Sequence, residues 1–310
     1  MTEGRRTAFL GILVVALPAL ALVASFPAHP QILGVLNNAA HAPVFGALAV
    51  VWFLLLLGFR QWSPWQRYLV AFALTIAIGG LVEMIQPRFG RGAELIDLLN
   101  DALGAAAGLA LVAYVRSRRF RYLLVAIALL VPVAWPVAQA AIACVSRAGS
   151  FPVLFGDATR SDRYFIHTSG VEAVHSALPP AWARPGDPQS LRIRILGEPW
   201  PGVTHTEPQP DWRGYSRLLL DVTNPGAQPL TLTLRVHDRA HDNRAGDRFN
   251  RTFTLAAAQR SELAIPLSEI ASAPEGRSLD LSRVAGIILF GDGGPQQVGR
   301  EYYLTQIRLE

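Results

Sequence analysis

The chain has 310 residues, of which 51% are apolar and only 16% are charged, and its formal net charge is +5 at pH 7. This composition is too apolar for an ordinary soluble protein. Residues 1–147 hold 11 arginines and 5 acidic residues, whereas residues 148–310 hold 17 arginines and 18 acidic residues. The net positive charge therefore belongs to the apolar half. There we interpret the arginines as signals of membrane topology and not as a nucleic-acid-binding surface.

Five apolar segments in this half are each long enough to cross a bilayer core, which takes about 20 helical residues. The predicted spans are Thr7–Phe26, Ala42–Phe59, Tyr68–Ile85, Leu95–Val115 and Tyr122–Val145. If the spans alternate, eight arginines fall on one side of the bilayer, and only Arg88 and Arg91 lie in the opposite loops. Because arginine is enriched in cytoplasmic loops, we expect an inner-membrane protein with a cytoplasmic N-terminus, an uncleaved first span and an extracytoplasmic C-terminal domain.

Polar side chains gather where the second span starts, the third ends and the fourth starts. The candidate pocket comprises His41, Glu83, Gln86, Arg91, Asp97 and Asp101. In the predicted topology these residues share the outer face of the membrane, and Asp97 and Asp101, four positions apart, share one face of their helix. Ionisable groups at such positions mark function by default. The sequence therefore predicts a functional pocket on the side that carries the C-terminal domain.

Two other interpretations of the same residues stay open. A Glu83–Arg91 or Asp97–Arg88 ion pair could simply fix the turn between the third and fourth spans, and an acidic residue in the first turn of a helix also favours the helix dipole. A metal site built from His41, Glu83 and Asp97 is weaker, because one imidazole with carboxylates at unfixed spacing is a poor metal signature. The sequence predicts no metal and no other cofactor.

A His that opens one span is followed by Glu-x-x-Gln, a Gly-Arg loop, and an Asp before paired glycines. These residues are His41, Glu83 with Gln86, Gly90 with Arg91, Asp97, and Gly104 with Gly108. Over roughly residues 30–115 the pattern resembles the VanZ-like family of membrane proteins. The resemblance implies a link to envelope glycan or to the glycopeptide-antibiotic response. The chain departs from the family pattern at Asp101, where the family usually has Asn, and in its fifth span.

The Gly104-x-x-x-Gly108 spacing lies in an Ala-rich stretch of the fourth span. Two small residues one helical turn apart allow another helix to approach closely. We expect the partner helix to belong to the same chain; homodimerisation is the alternative, and the oligomeric state stays open.

After Arg147 the hydrophobic period changes from helical to two. Leu230–Val236 alternates apolar and polar residues as a half-buried strand does. Further strands are predicted at Leu191–Leu196, Leu218–Val222, Arg251–Leu255, Leu263–Leu267, Gly286–Phe290 and Tyr302–Leu309. Many short strands separated by turns predict a β-sandwich or jelly roll. We therefore expect a transmembrane helical bundle at residues 1–147 and an all-β domain at residues 148–310, in which residues 148–190 hold an edge strand and a loop.

Five segments of this half resemble the galactose-binding-like jelly rolls found as carbohydrate-binding modules. They are Pro199–Val203, Asp211–Tyr215, Leu218–Val222, Arg248–Arg251 and Tyr302–Leu309. The match is to a pattern of strands and loops, so it implies the fold more strongly than the ligand.

Sugar binding needs a flat aromatic face for C–H surfaces and planar polar groups for hydroxyls. The aromatic candidates are Trp200, Trp212 and Tyr215, and the polar candidates are His237, Asp238, Arg239, His241, Asp242, Asn243, Arg248 and Asn250. The alternative is structural: Trp212 and Tyr215 could close one end of the sandwich core, and Asp238 and Arg248 could tie down the loop. No serine–histidine–acid triad or glycosidase carboxylate pair stands out in this half.

Three functions remain possible from the sequence. In the leading hypothesis the exported β domain recognises an envelope glycan, while the pocket handles a glycolipid or lipid-linked sugar. In the second, the protein is a membrane enzyme that uses His41 or Glu83 as a general base and Arg91 to hold a phosphate or carboxylate. In the third, the β domain docks another protein and the pocket is only packing. The expected partners are the lipid bilayer and a glycan, without nucleic acid.

Overall fold

The computed structural model describes residues 3–23, 30–89, 92, 94–156 and 164–310. The chain divides into two compact units, Met1–Ala141 and Ile142–Glu310. The first unit is helical, and the second contains the last turns of the fifth helix and two antiparallel β-sheets. A helical segment followed by a β-sandwich is the predicted fold class, which is thereby confirmed at this level.

In the part of the chain that the structure describes, the helical unit has five helices that are long and apolar enough to cross a membrane. They are α1 (Glu3–Val23), α2 (Gln31–Leu56), α3 (Pro64–Ile85), α4 (Leu95–Ser117) and α5 (Phe120–Ser150), with a 3₁₀ turn at Gln86–Phe89 after α3. The largest difference from the sequence prediction is the start of α2, which begins at Gln31 and not at Ala42. Asn37 and Asn38 lower the local hydropathy but do not stop a helix, so His41 lies inside α2 and not at its start.

Glycines allow α2 and α4 to pack closely. A Cβ on Gly108 would lie 2.5 Å from the carbonyl oxygen of Gly46, and one on Gly46 would lie 2.9 Å from the carbonyl oxygen of Gly104. A Cβ on Gly104 would overlap the backbone of Ala42. The prediction that Gly104 and Gly108 pack against a helix of the same chain is confirmed, because both glycines face the backbone of α2 at close range.

Over its described residues, the β unit has eleven strands. They are β1 (Val153–Phe155), β2 (Ile166–Ser169), β3 (Val171–Ser176), β4 (Ser190–Ile195), β5 (Gly202–Thr206), β6 (Arg217–Asn224), β7 (Leu230–Asp238), β8 (Phe249–Leu255), β9 (Gln259–Pro266), β10 (Val284–Phe290) and β11 (Glu301–Leu309), with a short helix α6 (Leu267–Ala271) after β9. All seven predicted strands are present. Four more strands, β1, β2, β3 and β5, were not assigned from the sequence, which placed a single edge strand within residues 148–190; the structure has three strands there, and β3 lies at the edge of its sheet.

The strands form two sheets that enclose one core. The six-stranded sheet has the order β3-β4-β11-β6-β9, with β1 also paired to β11, and the five-stranded sheet has the order β2-β5-β10-β7-β8. Alternate residues from both sheets, such as Leu220 of β6 and Leu234 of β7, are fully buried in a single cluster. The arrangement is a β-sandwich.

Candidate functional site

The helical unit gathers most of the sequence-predicted pocket into one place. We call the following residues the polar cluster: His41 of α2, Glu83 of α3, Gln86 of the 3₁₀ turn, and Asp97, Asn100 and Asp101 of α4. All are buried. Arg91, which was predicted to join them, lies outside the described residues. The structure thus brings an imidazole and several carboxylates from α2, α3 and α4 close together.

His41 and Asp101 form the centre of the polar cluster. The Nδ1 atom of His41 is 2.9 Å from Oδ1 of Asp101, and its Nε2 atom is 3.6 Å from Oδ2 of Asp97. Because Asp97 and Asp101 share one face of α4, both carboxylates reach the same imidazole. Asp101 is completely buried, and Gly79 of α3 leaves the space that its carboxylate fills. The missing side chain at Gly79 therefore gives the carboxyl group of Asp101 room between three closely packed helices.

A second set of hydrogen bonds joins the end of α3 to the start of α4. The backbone N–H of Glu94 donates to Oε2 of Glu83 over 2.9 Å, and the amide nitrogen of Gln86, oriented to satisfy its neighbours, lies 3.0 Å from Oε1 of Glu83. The side-chain amide of Asn38 donates to Glu94, and that of Asn100 donates to the backbone carbonyl of Asn38. These bonds tie the first turn of α4 to both neighbouring helices.

The arrangement suits two kinds of chemistry. When Asp101 is ionised and accepts the Nδ1 proton of His41, Nε2 carries the lone pair, which is how a carboxylate orients a general base. Ligand atoms of His41, Glu83 and Asp97 also lie within 4.8 Å of one another, close enough to hold a metal ion. The distances between these three side chains, which the sequence could not fix, are therefore compatible with a metal ion. One imidazole and two carboxylates do not identify which metal it would be.

In the β unit, several residues that were predicted to bind sugar have structural roles instead. Trp212 is completely buried and its indole N–H donates to the carbonyl of Gln209, so it is a core residue and cannot present a face to a sugar. Tyr215 packs edge-on against Phe151 with ring centroids 5.3 Å apart. The alternative weighed for these two aromatic residues, closing one end of the core, is the one that the structure supports.

The loop between β7 and β8 is held by ion pairs. Asp238 is 1% exposed and bound by Arg277, which also pairs with Asp247. Burial opposes ionisation of Asp238, yet the hydrogen bonds from Arg277 and the backbone hold the pKa of that carboxyl below its usual value. His241 contacts Asp247, and Arg244 pairs with Asp242. Asp238 therefore ties the loop down and does not face a ligand, while Arg239 and Asn243 of the same loop are exposed.

The outer face of the five-stranded sheet carries the remaining candidates. On β7, Leu230, Leu232, Leu234 and Val236 point into the core, so the residues between them point outward. We call this surface the sheet face; it consists of Thr231, Thr233, Arg235 and His237 of β7, Asn250, Thr252 and Thr254 of β8, Ile288 and Phe290 of β10, and Trp200 before β5. His237 and Asn250 were predicted as sugar-binding residues, and both lie here; Arg248, just before β8, is half-buried.

Trp200, Phe290 and Arg235 pack against one another on the sheet face. The Arg235 guanidinium lies over the Phe290 ring, 5.1 Å from its centroid, and the Trp200 ring meets Phe290 edge-on at 5.7 Å. Trp200 is 66% exposed. Asn250 accepts a 3.4 Å hydrogen bond from Nε of Arg235. Sequence reasoning missed Arg235 and Phe290, although the alternation of β7 already places Arg235 on the polar face with the two threonines.

His237 extends the polar part of the sheet face. Burial lowers its pKa to about 4, with further lowering by the nearby His241 and Arg235, so the imidazole is neutral at pH 7. Gly286 on the neighbouring strand leaves the space that the ring occupies. A neutral imidazole, an amide, a guanidinium and hydroxyls on one surface can donate to and accept from sugar hydroxyls. The exposed Trp200 ring beside them can cover C–H surfaces, whereas the Phe290 ring is buried and supports it from below.

No protein-family model matches the chain, and no curated protein matches it. Among solved structures, it is similar to an exo-beta-agarase at 18% identity with a TM-score of 0.38, over 47% of this chain and 23% of the agarase. It is also similar to a family 11 carbohydrate-binding module from Clostridium thermocellum, solved with a beta-1,3-1,4-mixed-linked tetrasaccharide, at 13% identity with a TM-score of 0.34, over 46% of this chain and 82% of the module. The chain thus spans about a quarter of the agarase. The β-sandwich itself rests on the strand order and shared core described above.

Proposed function

We propose that this protein is a membrane-anchored envelope protein whose β-sandwich binds a glycan on the sheet face. One observation carries the proposal: exposed Trp200 stands beside Phe290 and Arg235 on the same surface as the polar side chains of β7 and β8. At about 3.3 Å per residue, the nine residues of β7 extend over roughly 30 Å, enough for several sugar units. The sheet face thus offers stacking at one end and hydrogen-bonding groups along its length.

Binding is tested with the full chain in detergent, first on an array of envelope polysaccharides and then by calorimetry with the best ligand. Trp200→Ala removes the exposed ring and is expected to weaken binding at least tenfold, about 1.4 kcal/mol. Trp182→Ala is the matched control, because Trp182 lies away from the sheet face. Its backbone carbonyl accepts a hydrogen bond from Arg260 of β9, which belongs to the six-stranded sheet. Equal binding by the two variants, or no binding to any polysaccharide, would remove the glycan proposal.

The proposed orientation has the N-terminus in the cytoplasm and the β-sandwich outside. It is supported by the five long apolar helices and by the bias of arginine toward the predicted cytoplasmic loops. Cys144 is the only cysteine, so a Cys144→Ser chain with Ser216→Cys at an exposed position just before β6 has one labelling site. A membrane-impermeant maleimide should label Cys at 216 in intact spheroplasts. Labelling only after lysis would reverse the topology.

The envelope role also draws on the resemblance of the polar cluster to the VanZ-like pattern. His41, Glu83, Gln86 and Asp97 all stand where that pattern has them, and the structure brings them together. A link to envelope glycan or to the glycopeptide-antibiotic response follows from the resemblance and stays part of the proposal.

A second candidate function is acid–base catalysis in the polar cluster, and the His41–Asp101 hydrogen bond favours it. In this scheme Asp101 orients the ring and His41 accepts a proton from the substrate or from water. His41→Ala and Glu83→Gln should each abolish the function of the protein in the cell envelope, while normal amounts of protein reach the membrane. Loss of folded protein in both variants would instead assign these residues to structure alone.

A further inference from the structure

A cavity of about 750 Å³ lies between α2, α4 and α5. Every residue that lines it is apolar, and the α2 and α4 walls consist mainly of alanine and glycine, including Ala47, Gly104 and Ala107. On α2 the lining runs from Ala39 to Val50, which corresponds to roughly 16 Å along the helix axis. Ligand pockets commonly measure about 300–1,000 Å³. The cavity is therefore long, apolar and large enough for a flexible chain molecule.

One end of this cavity is next to the polar cluster. Ala42, in its wall, follows His41 in sequence, and Asn100 stands one helical turn before Gly104 on the same face of α4. Pro43 has no N–H, so the carbonyl of Ala39 lacks its helical donor, and both residues line the cavity. Polar groups thus occur at one end only, and the rest of the cavity is lined by hydrocarbon.

We propose that this cavity binds a single hydrocarbon chain of an amphiphile, with the headgroup at the level of the polar cluster. The proposal depends on the membrane insertion put forward under the proposed function, and it adds the ligand class of the helical unit. Inside a bilayer the hydrophobic effect does not distinguish this site from the surrounding lipid, so shape and the polar end must select the chain. The small residues of α2 and α4 supply that shape.

The test uses the full chain in nanodiscs of phosphatidylcholine that contain a trace of phosphatidylcholine with a diazirine in its palmitoyl chain. After irradiation, mass spectrometry should find the label concentrated on the cavity-lining residues of α2, α4 and α5. Ala134→Trp fills the cavity from α5 and should reduce this labelling at least fivefold. Ala128→Trp places the same ring on the same helix at an exposed position that does not line the cavity, and should leave labelling unchanged.

Labelling spread evenly over the outer surfaces of all five helices would overturn the proposal, as would equal labelling of the two tryptophan variants. If Ala134→Trp does not fold, Ala47→Leu fills the cavity from α2 and is judged by the same criterion. Glycan binding by the same nanodiscs is measured in parallel. Loss of glycan binding with selective labelling retained would reject only the glycan proposal, whereas the opposite result would reject only the hydrocarbon site.

Discussion

Replacement of Gly108 by alanine tests the close packing of α2 on α4. The new Cβ would lie 2.5 Å from the carbonyl oxygen of Gly46, whereas ordinary contact begins near 3.4 Å. The two helices must therefore separate by about 0.9 Å. Such a gap removes a quarter to a half of each dispersion contact along the seam. The helices cannot close around the methyl group, because its neighbour is backbone and not a side chain.

The expected magnitude is the difference of two effects. Overpacking typically costs about 1–3 kcal/mol, while replacing glycine by alanine inside a helix stabilises it by about 1 kcal/mol. Gly108→Ala should therefore lower the stability of the helical unit by roughly 1 kcal/mol. Gly80→Ala on α3 is the matched control, since nothing lies within 4 Å of the new Cβ, and it should be neutral or stabilising.

The assay is thermal unfolding in detergent, followed by the helical signal in far-ultraviolet circular dichroism. We expect the midpoint of Gly108→Ala to fall by a few degrees below that of the parent chain and the midpoint of Gly80→Ala to stay level or rise. If the two variants unfold at the same temperature, the α2–α4 seam is not packed as described.

Two further predictions concern the β-sandwich. Burial lowers the pKa of His205 to about 4, so between its ordinary value near 6.5 and pH 4 only the unfolded chain takes up this proton. The contribution of His205 to the free energy of unfolding is complete above pH 6.5. The free energy of unfolding should fall by up to about 1.4 kcal/mol per pH unit as the pH drops to 4. Denaturant unfolding should show a weaker dependence of this free energy on pH for His205→Gln. Arg277→Ala leaves buried Asp238 with backbone donors only and should cost roughly 2 kcal/mol. Acid unfolding of this variant should begin at a higher pH, because the pKa of Asp238 rises once Arg277 is gone; an unchanged acid midpoint would refute the ion-pair role.

The candidate sites show where sequence reasoning succeeds and where it stops. Asp97 and Asp101 could be placed on one face of a helix because their spacing alone fixes that geometry. Trp212 could not be assigned, because a tryptophan before a strand looks the same in sequence whether it closes the core or faces a sugar. Its complete burial decides the question. Arg235 was recoverable from the alternation of β7, but its partner Phe290 comes from a strand more than 50 residues away.

By itself the sequence determined the quantities that depend on local order: five long apolar helices, the change to a period of two, and glycines that permit close helix contact. Only the tertiary structure decided which residues meet. The hydrogen bond between His41 and Asp101 joins residues 60 positions apart, and the pairing of Phe290 with Arg235 depends on the register of β10 against β7. Local propensity carries no information on such distances, because they are fixed by the packing of whole helices and sheets against one another.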